Sequence, residues 1–466
     1  MYVYPMRSTT FAALTAILSL MSGFAFAAGP ASYADTIPLP APKPEKALPT
    51  PLTIEEALDY TVAHNPQIKI AKEELREQKG ILVQSLATAG PQVTANASAT
   101  DYKSSQLMNA GMTALDGRKN WEADFMLKQS VFAGGGIVSN INMSRENMLS
   151  AKARMTSTVE LAVYNLKQAF YSVIVDREII SVHQESLQVL EEQLKNVDAK
   201  RRAGVSSDFE VLQATVAVEN EKPLLIRAQN DYRVAVENLL NVLGAPPTTE
   251  LDPSDVKGEL TIENISPTLA ELLADAQSHR PDLSAARHSV KAAESQEWTA
   301  VASGLPTVNV FASYDWLKDE STSRTTANVN GWEMGVVASQ PLWDNFATAA
   351  KVFTAHAARR ASQATELQTR LQVTLDVRQA YSSFDESREI LKSAKQVVDE
   401  AHESLRLSRA RFAAGNGTQL DILQAESALS QARLTYLQAQ YDYVVSLAKL
   451  EQATGTHKWK VIISER

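Results

Sequence analysis

Apolar positions in this chain recur in two rhythms, and the order of the rhythms is repeated. In one, apolar residues return every seventh position: Val159, Leu166, Val173, Ile180, Leu187 and Leu194. The same beat follows 211 residues later in Val377, Phe384, Leu391, Val398 and Leu405, with Arg370 as the lapse. Segments beyond the next glycines keep it, in Val211, Val218, Leu225, Tyr232 and Leu239 and in Ile422, Leu429, Tyr436, Tyr443 and Leu450. Sustained heptads predict coiled-coil helices with a left-handed supercoil. No proline falls between Gly136 and Gly204 or between Asp344 and Ala413, so each long helix spans roughly 100 Å.

The second rhythm has period two. Val93, Ala95, Ala97 and Ala99 alternate with Thr94, Asn96, Ser98 and Thr100; Trp121, Ala123, Phe125 and Leu127 alternate with Glu122, Asp124, Met126 and Lys128. Further on, Val308, Val310, Ala312, Tyr314 and Trp316 alternate with Thr307, Asn309, Phe311, Ser313 and Asp315. Trp332, Met334, Val336 and Ala338 do so with Glu333, Gly335, Val337 and Ser339. Such alternation predicts half-buried strands, here two hairpins. Their polar connections are Lys103 to Asn120 and Lys318 to Gly331. Tyr102, Trp121, Tyr314, Trp316 and Trp332 lie near the strand ends that face those connections, where the aromatic girdle of a membrane barrel belongs. A soluble sheet with one wet face is the other reading of the same alternation.

The copies can be aligned residue by residue. His64-Asn65-Pro66 returns as His279-Arg280-Pro281 and Pro91 as Pro306, at a separation of 215. Trp121-Glu122 returns as Trp332-Glu333, and Leu212-Gln213-Ala214 as Leu423-Gln424-Ala425, at 211. A slip confined to the hairpin region marks a surface loop, since a packed element cannot lose residues and keep register. Repeat 1 is expected over 52–244, with a hairpin at 92–132, a long helix at 137–201 and a helix at 207–243. Repeat 2 is expected over 268–455, with the hairpin at 307–343 and helices at 344–412 and 418–454. Each opens with a short amphipathic helix (Ile54 to His64; Leu269 to His279) and an X-Pro joint, the proline suiting the first turn of the next helix. His64 and His279 read as terminal polar residues, with no ligand cluster around them. Pro223 is expected to kink its helix or shift its local register. The linker 245–267 is turn-rich, with room for a short strand, and 456–466 forms a tail.

Composition narrows the setting. Arg7, the apolar run from Phe11 to Met21, and Ala25-Phe26-Ala27 before Ala28 read as a secretory signal over 1–27, an uncleaved anchor being the other reading. The run is short for a span, and Thr15 and Ser19 dilute it. Residues 28–51 form a proline-rich tether. The chain has no cysteine, so export brings neither disulfides nor N-terminal lipidation. A net charge of −9 argues against nucleic acid. After the signal no stretch is apolar enough for a transmembrane helix, which leaves a barrel open.

Four strands cannot close a barrel, and an open edge is not tolerated in lipid, so chains must associate. Two chains give eight strands, whose side chains fill the interior; three give twelve and an aqueous lumen. Helices this long then project far beyond the membrane. The pattern is that of a conduit. No paired acid and base, phosphate loop or metal spacing points to an enzyme, and no cofactor is implied.

The order helix, X-Pro, helix, hairpin, long helix, Gly-turn, helix, taken twice, resembles the TolC family of outer-membrane efflux and type I secretion channels. The resemblance covers about Leu52 to Gly455. It is most specific at Arg202-Ala203-Gly204 through Asp208-Phe209-Glu210-Val211-Leu212-Gln213-Ala214, and at Arg411-Phe412-Ala413-Ala414-Gly415 through Leu420-Asp421-Ile422-Leu423-Gln424-Ala425. It implies a mostly helical mixed α+β membrane protein. In it two repeats each give one hairpin to a trimeric, twelve-stranded outer-membrane β-barrel and long coiled-coil helices to a periplasmic α-barrel. It also implies a passive tunnel that takes cargo from an inner-membrane transporter through a periplasmic adaptor.

In that family the turns form the periplasmic tip, here Gly204, Val205, Ser206, Ser207, Gly415, Asn416 and Thr418, and contact the adaptor. Rings of side chains there close the channel. Asp421 falls where the family often has the first of two lumenal acids, and Gln424 stands where a second Asp is common. Glu210 occupies the matching place in the first copy. The family's gate-locking arginine and tyrosine correspond to Gly417 and Phe412, so that network is absent here. Asp421 and Glu210 also read simply as early-helix acids that complement the dipole. An exported coiled-coil scaffold or adaptor is the competing function, which accounts for the heptads and leaves the hairpins unexplained.

Overall fold

The structure, a computed structural model, describes residues 48–102, 118–252, 255–260, 262, 265–320 and 326–456. At the strand ends 101–102, 118–120, 318–320 and 326–329 the backbone alone is described. The chain divides into Met1–Pro49 and Thr50–Arg466, and of the first unit only residues 48 and 49 are described. The expected signal segment, the tether up to residue 47 and the tail from 457 lie outside the described residues.

Helices α1 (Ile54–His64) and α2 (Pro66–Ala87) lead into strands β1 (Gln92–Tyr102) and β2 (Arg118–Ala133), then α3 (Gly136–Arg202) and α4 (Asp208–Leu243). The second repeat runs α5 (Leu269–His279), α6 (Pro281–Ala302), β3 (Thr307–Glu320), β4 (Thr326–Ser339), α7 (Ala347–Ala413) and α8 (Gln419–Thr454). Corresponding helices match in length at 11, 22, 67 and 36 residues. At 67 residues α3 and α7 are roughly 100 Å long. Among the described residues no helix is apolar enough to cross a membrane.

Local chemistry starts these helices at the same places twice. Thr53 with Glu56, Thr268 with Glu271, Ser207 with Glu210 and Thr418 with Asp421 form capping boxes. Asn65 caps α2 through its carboxamide oxygen, and Pro66 takes the first helical position. The heptad residues Val377, Phe384, Leu391, Tyr443 and Leu450 are buried in one core cluster that also takes in Leu272 and Ala276 of α5. Val159, Leu166 and Val173 are buried on α3.

The X-Pro joints have a structural purpose that the sequence did not reveal. Asn65 Nδ2 donates to the Val242 carbonyl at 2.8 Å, and Arg280 donates from a guanidinium nitrogen to the Ala453 carbonyl at 2.9 Å. Each joint therefore satisfies the last turn of its repeat's final helix, whose carbonyls have no partner within the helix. His64 and His279 sit at the ends of α1 and α5 with Nδ1 near the carbonyls of Tyr60 and Asp275.

The four strands form one antiparallel sheet in the order β1-β2-β3-β4. The junction of β2 with β3 joins the repeats, and its register shifts between Ser130 and Phe132. Two expectations are corrected. The linker carries one parallel bridge, Leu52 to Val256, and, among its described residues, no strand. The second hairpin ends at Ser339 and α7 begins at Ala347, not at 344, because Asn345 and Phe346 hold left-handed backbone that no helix accepts. Pro223 lies inside α4, which runs through it as helix to the same length as its proline-free counterpart.

Candidate functional site

The α3–α4 and α7–α8 turns share one construction. Val205 N–H donates to the Lys200 carbonyl and Asn416 N–H to the Arg411 carbonyl, each at 2.9 Å, the six-to-one bond of a Schellman turn. Gly204 and Gly415 carry φ of 75° and 76°. Val205, Ser207, Asn416 and Thr418 are exposed, and Ser206 is half-buried, donating its hydroxyl to the Glu210 carboxylate.

The two acids singled out from the sequence both close capping boxes. Asp421 accepts from Thr418 N–H at 2.8 Å, and Glu210 from Ser207 N–H at 2.9 Å. The backbone bond from Thr418 holds the Asp421 carboxyl below its ordinary range, aided by the Thr418 hydroxyl and the charge of Arg411. Hydrogen bonding from Ser206, then from Ser207, lowers Glu210 likewise. Asp421 is exposed and Glu210 half-buried, so capping keeps both charged without sealing either from water. The linked stability is present above the ordinary carboxylate value and is lost as pH falls through the lowered one.

Gln424 is exposed one turn beyond Asp421. Phe412 is half-buried beneath Lys200, whose Nζ lies 4.3 Å from the ring centroid, and this cation–π contact ties α3 to α7. Gly417 is confined, since a Cβ there would lie 3.1 Å from the Phe412 nitrogen.

Periodicity in apolar residues alone passed over a polar stripe on α8. Gln419, Glu426 and Arg433 also recur every seven residues, beside Ile422 and Leu429. Gln193 Nε2 donates to Gln419 Oε1 at 2.8 Å, Arg409 reaches Glu426 at 3.1 Å, and Arg433 reaches Glu185 at 2.8 Å. The Gln419 amide nitrogen is buried without a hydrogen-bond partner. His183 pairs with Glu221 at 2.7 Å between α3 and α4. Counting polar residues by the same seven-residue step would have found the stripe, although not its partners.

Glu426 is the buried acid of the stripe, and burial raises its carboxyl above the ordinary range against the opposing charges of Arg409 and Arg433. An acid raised on folding makes the fold more stable as pH falls through that raised value. Glu426→Gln should therefore be neutral or stabilising by up to about 1 kcal/mol at neutral pH. It should also flatten the dependence of melting temperature on mildly acidic pH. Melting curves of the purified variant across that range, unchanged in slope from those of the parent, would contradict this.

At the other end, register sorts the sheet by polarity. Ala95 faces Phe125, which faces Tyr314, which faces Trp332. Directly opposed residues share a face. One face therefore carries Val93, Leu127, Val310, Val336 and their alternates, and the other carries Asn96, Asp124, Ser313 and Glu333. Asn96 donates to Asp124 at 2.9 Å on the polar face. Trp316 is in ring contact with both Phe125 and Tyr314 on the apolar face, and Trp332 is exposed beside them. Trp121 is half-buried on the same face. Tyr102 ends β1 opposite Arg118, and its side chain lies outside the described residues. The exposed apolar face and the outer edges of β1 and β4 are unpaired surfaces that a lone chain cannot present stably to water.

Residues 57–245 and 272–456 match the profile of the outer membrane efflux protein family. Among curated relatives, Protein CyaE of Bordetella pertussis is 23% identical over 432 residues, covering 89% of this chain and 90% of its own. Outer membrane efflux protein BepC of Brucella suis is 24% identical over 356 residues, covering 73% and 74%. The solved outer membrane protein VceC of Vibrio cholerae superposes with a TM-score of 0.72 at 18% identity, covering 86% of this chain and 96% of that one.

Proposed function

The chain belongs to the outer membrane efflux protein family, and from that premise we propose that three copies close into one tube leading from the periplasm to the cell exterior. It is an outer-membrane channel with a periplasmic extension, and family members are passive channels, not enzymes. The observation that carries the closure is the four-stranded sheet with one continuous apolar face and two unpaired edges. Lipid accepts such a face and refuses such edges.

Repeat symmetry supports head-to-tail closure. Within the chain β2 pairs with β3, and α3 packs against α6 and α8. The repeat counterparts of these contacts join β4 to β1, α7 to α2 and α7 to α4, and each needs a second copy. A head-to-tail contact that closes makes a ring. Three copies give a lumen, whereas two give a barrel filled by its own side chains. The polar sheet face then lines the barrel, and the aromatic residues near the strand tips form its girdle.

The turns at Gly204–Ser207 and Gly415–Thr418 form the periplasmic tip that meets an adaptor. Asp421, Gln424 and Glu210 face the lumen there, with Asp421 and Glu210 open to water and held ionised by their caps. Phe412 and Gly417 stand in place of the family's hydroxyl and guanidinium locks. The inner-membrane pump selects the cargo, whether a small solute or a secreted protein.

Outer-membrane fractionation with a heat-modifiable trimer on denaturing gels tests the closure; recovery as a soluble monomer would end it. Crosslinking in cells from Ser207 and Asn416, followed by pull-down, should capture a periplasmic adaptor. If Asp421 rings the lumen, Asp421→Asn should weaken block of single-channel current by trivalent cations. Unchanged block places the carboxylate outside the constriction.

A further inference from the structure

An open groove of 650 Å³ lies between the start of α3 and the end of α6. Helix α6 gives it one stripe, Lys291, Glu294, Ser295 and Trp298, spaced so that all four share a helix face. From α3 and its cap come Gly135, Asn142 and Glu146. Both walls belong to one chain, so the groove exists before any copies associate.

Trp298 sets its depth. A Cβ on Gly135 would lie 3.0 Å from the indole Nε1, and Gly135 holds φ of 81°, so the bare residue both makes the turn and clears room for the ring. Repeat 2 has Phe346 at the matching position. Gly135 stands two residues past Ala133, the end of β2. Trp298 is 52% exposed at that level, where the apolar face of the sheet gives out. Tryptophan, with an apolar ring and a polar N–H, favours the boundary between hydrocarbon and water. From Trp298 down to Lys291 is roughly 10 Å of helix. The headgroup layer is roughly 5–8 Å thick on each side of the hydrocarbon. The groove therefore spans that layer.

Heptad position decides which side it opens to. Gly135 and Asn142 share one with Val163, Phe170 and Arg177, and residues so spaced keep to one face of a supercoiled helix. Further down, that face is covered. Val163 lies in the cluster that takes in Leu58 and Val62 of α1, Phe170 meets Gly258 of the linker, and Arg177 donates to the Val256 carbonyl at 3.1 Å. In a tube of long helices such an added layer lies outside, because on the inner side it would fill the lumen. The groove opens outward, directly below the lipid-facing sheet.

Its chemistry is mixed. Lys291 and Glu294 are exposed, and Glu146 is held by His288 at 2.7 Å. Two carboxylates beside one ammonium disfavour an anionic occupant. The matching stripe on α2, Arg76, Lys79, Gly80 and Val83, has neither acid nor aromatic ring, so duplication alone does not explain the arrangement.

We propose that this groove binds the head of a zwitterionic phospholipid bearing a primary ammonium, in the leaflet that faces the periplasm. Lys291, on its flexible stem, meets the phosphate. Glu294 accepts from the lipid ammonium, which lies beside the Trp298 ring. The site rests on the membrane tube described above and gives each copy one fixed lipid.

Native mass spectrometry of the purified trimer, mixed with equal amounts of phosphatidylethanolamine, phosphatidylcholine and phosphatidylglycerol of the same acyl chains, tests it. Phosphatidylethanolamine should stay bound in preference to the other two. Glu294→Gln should cut its retention about fivefold. Glu294→Lys should reverse the preference in favour of phosphatidylglycerol, a gain that misfolding does not produce. Equal retention of the three lipids by the parent, or a preference that survives both substitutions, would overturn the site. Failure to recover any trimer from the parent chain would instead sink the tube itself.

Discussion

Gly244→Ala should prevent stable folding, and Gly455→Ala should weaken it less. Both glycines end the last helix of a repeat at φ near 70° (74° and 69°). Each lies against the X-Pro joint of its own repeat. A Cβ at Gly244 would lie 2.9 Å from Asn65 Cα, the His64 carbonyl oxygen and Pro66 Cδ at once. At Gly455 the nearest atoms are the His279 carbonyl oxygen at 3.0 Å, its carbon at 3.1 Å and Arg280 Cα at 3.3 Å. Left-handed backbone and forced contact with a neighbouring backbone each cost about 1–3 kcal/mol. The joint cannot retreat, because Asn65 is bonded to Val242 two residues before the glycine. The loss at Gly244 should therefore reach about 2–5 kcal/mol, and yield of the heat-modifiable form in outer membranes should fall accordingly. Equal yields for the two alanine variants would contradict the ranking.

Phe384→Ala should be the most damaging truncation in the second coiled coil. Phe384 is 1% exposed, and its ring centroid lies 5.3 Å from that of buried Tyr443. A cavity left by phenylalanine costs about 3–5 kcal/mol, because neighbours on rigid helices relax only in part. The matching residues in repeat 1 are Val173, also 1% exposed, and half-buried Tyr232. Val173→Ala removes less volume and should cost about half as much. Thermal dissociation of the purified variants should rank them in that order. A reversed order would mean that repeat 1, not repeat 2, carries the tighter core.

Much of the fold could be read in the chain because its signals are local. The heptads of α3, α4, α7 and α8 report one wet and one dry face on a 3.6-residue period, and strand alternation reports the same on a period of two. The slip in repeat spacing, between Pro91 and Trp121, spans the connection after β1. The candidate tip was legible for the same reason, since Gly204, Ser207 and Glu210 are turn, cap and box within seven residues. Their repetition at Gly415, Thr418 and Asp421 removed ambiguity. What a carboxylate does after capping was not legible, because its second environment comes from elsewhere in the fold.

The sequence by itself determined the kinds of element, their lengths, their polar and apolar faces and the twofold repetition. These follow from spacing along a short stretch of backbone. Tertiary structure decided that β2 pairs with β3 and leaves β1 and β4 as edges, and that Asn65 and Arg280 finish helices far along the chain. It also placed Lys200 over Phe412 and showed that Phe346 takes a left-handed backbone where the other repeat has glycine. Those outcomes depend on contacts between residues far apart in the chain, as in Asn65 with Val242, 177 positions away. No local period records which distant surface will meet which.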